Sequence, residues 1–134
     1  MTAKPKPKVS SLNAPYWEGT AVGELRLRHC QKCEALFRFT HPRCPCCWSD
    51  DLDWKRARGK GTVATFTVVH VAPFPAMESS VPYILALVDL EEGVRMMCNI
   101  VLCDPLEARI GMAVSVAFED RDGISLPQFK PSEM

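Results

Sequence analysis

From Gly61 onward, apolar and polar residues alternate in short runs broken by turn residues, a period of two that predicts β-strands and not helices. Five strands follow from it, at about 62–71, 82–90, 94–102, 113–120 and 124–129. Glu91-Glu92-Gly93 and Asp120-Arg121-Asp122-Gly123 supply tight turns between them. Between the third and fourth strands, Asp104, Pro105 and Gly111 give a cap, an early proline and a closing glycine, which frame one helical turn. Five strands with a helical turn after the third is the order of an OB-fold barrel. Upstream, Leu25 and Leu27 alternate with charges over 24–28, and 35–39 and 52–57 read as two further strands. Asn13-Ala14-Pro15 resembles a helix start, leading through Tyr16 and Trp17. Those aromatics have two places to dock: the chain itself or a second protein.

The cysteines change this picture most. Cys30-x-x-Cys33 and Cys44-x-x-Cys47 stand ten residues apart, so four thiolates can meet at one tetrahedral ion across a hairpin. A ribbon from Gly23 to Arg58 is too short to bury a self-sufficient core, and segments below roughly 40 residues usually need a metal or disulfides. Structural zinc, one per chain, would supply on the order of 10 kcal/mol. A closed four-cysteine shell leaves no open position for water, so the ion is expected to be structural, with iron the less favoured occupant. Cys46 is an alternative ligand to Cys44 or Cys47, and His29 and His41 flank the pairs as alternate ligands or supporting donors. The chain thus divides into a basic, disordered tail (1–12), a short helix (13–22), a ribbon (23–58) and, past the hinge Gly59-Lys60-Gly61, a barrel (59–134).

Charge and compartment narrow the function. The amino terminus lacks a secretory apolar stretch, no apolar run approaches the roughly 18 residues that span a bilayer, and seven cysteines are odd in number. These point to a reduced, cytoplasmic protein with no membrane role. Residues 1–58 carry eleven Lys and Arg against six Asp and Glu, while 59–134 carry five against ten. An acidic barrel argues against single-stranded nucleic-acid binding, the alternative function that OB-folds suggest.

Other chemistry-bearing residues have simpler roles. Cys98 shares a strand face with Val94, Met96 and Ile100 and reads as a buried hydrophobe, while Cys103 falls at a strand end. His70, on a face with Phe66 and Val68, is expected to be a hydrogen-bonded structural histidine. Phe118 alternates with Val114 and Val116 as core, and 71–77 is an apolar loop that either frames a ligand or folds over the barrel mouth.

The order of motifs resembles the bacterial and archaeal acyl-CoA-associated proteins that join a rubredoxin-like zinc ribbon to an OB-fold. The resemblance rests on Tyr16-Trp17, the cysteine pairs with Pro42-Arg43 and Cys44-Pro45, and Gly59-Lys-Gly-Thr-Val63. It continues through Thr67-Val-Val-His70, Pro82-Tyr83, 86–95, Ile110-Gly-Met-Ala-Val114 and Leu126-Pro-Gln-Phe-Lys-Pro131. Glu34 and Trp48 depart from it, standing where such ribbons place glycine after each cysteine pair. The resemblance assigns Cys30, Cys33, Cys44 and Cys47 to the metal. It implies a non-catalytic accessory subunit that binds acyl-CoA or completes the active site of a thiolase-like, lipid-transfer-type aldolase or hydratase partner. Arg43 and Arg95 are then candidates for the CoA phosphates, with a salt bridge to Glu91 the alternative for Arg95, and Phe74 for the acyl chain or the partner.

Overall fold

A computed structural model describes residues 7–11, 13–38, 41–73, 75–121 and 123–132. Residues 1–6 and 12 of the expected tail (1–12) and the ligand candidate Phe74 lie outside the described residues. One helix, α1 (Ala14–Ala21), precedes a three-stranded antiparallel sheet of β1 (Arg26–Cys30), β2 (Leu36–Phe37) and β3 (Leu52–Arg56), ordered β2-β1-β3. Proline in the first turn starts α1, but Asn13 does not cap it with its side chain. Its Oδ1 instead accepts from Ser10 N at 2.7 Å and its Nδ2 donates to Lys8 O at 3.2 Å, so the carboxamide ties the preceding segment to the helix.

The remaining strands are β4 (Lys60–Val69), β5 (Tyr83–Leu90), β6 (Arg95–Ile100), β7 (Ala113–Arg121) and β8 (Ile124–Pro131), closed into a barrel in the order β4-β5-β6-β8-β7. This is the OB-fold connectivity. β4 reaches both neighbours by running along β5 and bonding to β7 at Lys60–Thr62, with a bulge between Val63 and Thr65 that lets it bend. At Gly61 the Asp89 carbonyl oxygen occupies the place a Cβ would take, so closure there requires glycine. Alternation works as the sequence predicts on β5, where Ile84, Ala86, Val88 and Leu90 turn inward.

Ribbon and barrel share one core. Leu25, Leu27 and Ala57 pack in a single buried cluster with Tyr16, Val88, Met96, Cys98, Val114 and Phe129. A second, smaller cluster, Cys30, Phe37 and Cys44, lies at the metal end of the ribbon.

Three local expectations change. His70 falls past the end of β4 and is exposed, so it does not share the strand face with Phe66 and Val68 that its expected structural role requires. Phe118 is only half-buried and stands outside the core cluster, because β7 is regularly inward-facing only near Val114. Part of the region expected to be loop winds into a 3-10 helix at Pro75–Ser80. The expected turn after β6 is a 3-10 helix, Pro105–Glu107, whose cap Asp104 accepts from Leu106 N at 2.9 Å.

Candidate metal centre and ligand cleft

The four cysteines lie on two turns with the same bonding pattern. Cys30 N donates to Ala35 O and Glu34 N to Cys30 O, while Cys44 N donates to Ser49 O and Trp48 N to Cys44 O. The sulfurs of Cys30, Cys33, Cys44 and Cys47 all lie within 4.8 Å of one another, with 3.5 Å between Cys30 and Cys47 and between Cys33 and Cys44. A tetrahedral ion with metal–sulfur bonds of about 2.3 Å needs sulfur separations of about 3.8 Å, so this donor set fits zinc or iron.

Backbone amides prepare the leading sulfur of each pair. Cys33 N points at Cys30 Sγ (3.4 Å), and Cys46 N and Cys47 N point at Cys44 Sγ (3.4 and 3.5 Å). Burial opposes the Cys44 thiolate, but those amides, together with hydrogen bonds from the Cys33 and Cys47 thiols, outweigh it and hold the group down at about 6. The Cys33 amide likewise lowers Cys30. The residue after each pair holds left-handed backbone, φ 64° at Glu34 and 66° at Trp48, and the amide that follows it, Ala35 N or Ser49 N, bonds to the second sulfur of the pair, Cys33 or Cys47. The two departures from glycine therefore keep glycine's conformation with a side chain attached.

The flanking candidates stay off the shell. His29 Nδ1 meets Asp53 Oδ1 at 2.7 Å, its cross-strand partner, and His41 packs edge-on against Phe37. Cys46 is exposed and outside the four-sulfur group. Arg43 is spent locally, on Trp48 O at 3.4 Å and Asp50 at 3.9 Å.

A second feature lies where α1 meets the barrel. β8 follows β7 throughout but meets β6 in register only at Ile100 and Phe129. α1 covers the seam that this leaves. Tyr16 is buried in the barrel core, with Trp17 edge-on to it at 4.8 Å. Between helix and seam lies a cleft of about 470 Å³, lined by Trp17, Arg38, Met97, Cys98 and Leu126 among others. Burial pushes the Tyr16 phenol well above its usual range and the Cys98 thiol up to about 12, although Arg38 pulls both the other way. Both are neutral near pH 7, so among the described lining residues Arg38 is the charged one. Apolar side chains together with Arg38 and the amide groups of Asn99 and Gln128 suit a ligand that is part apolar and part polar.

Of the sequence candidates, Arg95 lies away from both features. It is bound bidentately by Asp89 at 2.6 and 3.0 Å, not by Glu91. Nothing in the sequence pattern singles out Arg38, and for Gln128 the one usable signal is a polar residue between the apolar Leu126 and Phe129.

Family models match two stretches: the rubredoxin-like zinc ribbon domain of ChsH2 over residues 17–53 and the ChsH2 C-terminal OB-fold domain over 54–119. The chain is 36% identical over 96% of its length to a protein named "Probable enoyl-CoA hydratase alpha subunit" of Thermomonospora curvata. It is 34% identical over 96% to the "3-oxo-4,17-pregnadiene-20-carboxyl-CoA hydratase alpha subunit" of Mycobacterium tuberculosis, and it spans 40% of the length of each of these two relatives. A "DUF35 domain-containing scaffold protein" of Methanocaldococcus jannaschii is 37% identical, with 78% of this chain and 79% of that one aligned. Among solved structures, a chain of the "Ltp2-ChsH2(DUF35) aldolase" superposes with a TM-score of 0.83 at 37% identity, covering 94% of this chain and 98% of that one. With a four-cysteine ribbon, a closed five-stranded barrel and relatives of this extent, the chain belongs to the ChsH2 family of zinc-ribbon and OB-fold proteins.

Proposed function

We propose that the chain is a non-catalytic accessory subunit that binds acyl-CoA and completes the active site of a partner hydratase, aldolase or thiolase-like acyltransferase. The observation that carries this reading is the seam cleft, whose apolar lining suits an acyl or pantetheine segment and whose polar lining groups, Arg38 and Asn99 among them, suit a thioester or amide oxygen. The names of the relatives, a hydratase alpha subunit and an aldolase, support the same class of chemistry. Cys30, Cys33, Cys44 and Cys47 would hold one structural zinc. Bound there, zinc would fix the ribbon's fold and leave no site for substrate. Cys98, neutral and buried, acts as packing and not as a nucleophile.

Nucleic-acid binding finds less support. The outer face of β5 and β6 carries Leu85, Leu87 and Met97, with a single aromatic ring, Tyr83, and an arginine already engaged by Asp89. A strand-binding face needs free cations interleaved with rings.

The reading is tested by purifying the protein from its source with whatever assembles on it, identifying that protein by mass spectrometry, and assaying the complex on acyl-CoA thioesters. A hydratase, aldolase or thiolase-like partner whose activity falls when Arg38→Ala is introduced is the expected result. A partner with no acyl-CoA activity, or full activity without this chain, overturns it.

A further inference from the structure

The junction between ribbon and barrel carries a row of cations that no role above uses. Arg56, Arg58 and Lys60 are exposed, while the intervening Ala57 and Gly59 are buried. Backbone bonds on both flanks hold this arrangement: Ala57 N donates to Leu25 O at 2.7 Å, Val116 N to Gly59 O at 2.7 Å and Glu91 N to Lys60 O at 3.0 Å. The ribbon grips one end of the segment and the barrel the other. The three cations therefore stand along one cleft of about 530 Å³, whose remaining lining is Ala57 and Glu91.

Their carboxylate partners are weak. Arg58 meets Glu91 at 3.3 Å and Arg56 meets Glu24 at 4.0 Å, with the arginine side chains 78% and 70% exposed. Ion pairs that open to solvent exchange readily for a better anion. Guanidinium groups match phosphate oxygens two at a time, and a lysine ammonium adds a point charge. Four of the five residues lining this cleft are charged and three of those are cations, so it selects for an anion, whereas the seam cleft, lined mainly by apolar side chains, selects for an apolar chain.

We propose that Arg56, Arg58 and Lys60 form a phosphate site that takes the phosphorylated nucleotide end of a CoA thioester. This rests on the accessory-subunit reading for the identity of the ligand. Glu91 is the group the incoming phosphate displaces from Arg58.

The test is titration of the metal-loaded full chain with 3′-phosphoadenosine 5′-diphosphate, followed by an acyl-CoA. Binding is expected to weaken as salt rises and to fall about tenfold or more in R56Q/R58Q/K60Q, whose thermal unfolding should match the parent. Glu91→Gln is expected to tighten it severalfold, a gain that misfolding does not produce. No binding of the nucleotide, or binding untouched by these changes, overturns the site. Acyl-CoA bound equally by parent and triple variant also overturns it and leaves the accessory reading standing. Nucleotide bound at the row with no added affinity for acyl-CoA supports the site and counts against that reading. A single-stranded oligonucleotide that outcompetes the nucleotide assigns the row to polynucleotides and overturns the proposal.

Discussion

Gln128 Oε1 accepts a 2.7 Å hydrogen bond from the backbone N–H of Asn99, so a side chain supplies the bond that a neighbouring strand would otherwise make across the β6–β8 seam. Asn99 in turn donates its side-chain amide to Ile84 O at 3.0 Å, carrying the link on to β5. Gln128 is 5% exposed, so water does not replace it when it is removed. Gln128→Leu is expected to cost about 1–3 kcal/mol, the penalty for stranding a buried N–H. A urea denaturation midpoint unchanged from the parent would show that the seam finds another acceptor.

Gly61 is the tightest point of barrel closure, seated against the Asp89 carbonyl. Gly61→Ala drives a methyl group into backbone and is expected to destabilise the protein by about 3 kcal/mol or more, at the severe end for single substitutions. Gly93, at a hairpin tip with open space around it, is the contrasting site. There the cost of Gly93→Ala is confined to its positive φ of 85°, about 1 kcal/mol.

Glu34 and Trp48 hold left-handed backbone that glycine adopts freely. Glu34→Gly and Trp48→Gly are each expected to stabilise the metal-loaded protein by about 1 kcal/mol, the relief of strain less glycine's entropy cost. Trp48 is 71% exposed and loses little packing when removed. Lower melting temperatures in both variants would mean that these side chains do more than occupy a turn.

Metal affinity should fall as the solution is acidified, because binding requires four thiolates and protons compete for them. The hydrogen bonds that hold Cys44 at about 6 keep its thiolate available through neutral pH, so loss of metal should steepen as the pH drops below that value. Zinc release followed with a chromophoric chelator checks this. Cys44→Ser should abolish stoichiometric binding, whereas Cys46→Ser should leave one ion per chain.

Cys98 behaves in the opposite sense. Its folded pKa is raised by burial to about 12, above the unfolded value of about 8.5, so the stability it contributes is complete below that unfolded value. It is lost as the pH rises towards 12. In the metal-loaded protein at pH 8, iodoacetamide should label exposed Cys46 and spare Cys98 until denaturant is added. Labelling of native Cys98 would mean that the seam opens on its own.

The elements set by local pattern were legible in the chain. Paired cysteines with ten residues between them can close on one ion in few ways, and strands whose two faces see different solvents must alternate. What escaped depended on register or on distant packing. Arg95 sits four residues from Glu91 and six from Asp89, yet the β5–β6 register pairs it directly with Asp89. Asn13 has the composition of a cap, but the turn behind it offered its side chain a nearer donor in Ser10. The seam cleft joins residues from α1, β6, β8 and Arg38, and nothing in the spacing of those segments foretells that the helix lies where two strands part.

The shared core has a practical meaning for anyone dividing this protein. A cut at residue 54 or 59 follows the seam between two recognisable sequence modules, yet it removes Leu25, Leu27 and Tyr16 from the wall of the barrel they complete. A barrel expressed alone would present that uncovered wall to solvent and would aggregate or seek a substitute for it. Helix, ribbon and barrel fold on one core, and swaps between relatives should carry the three together.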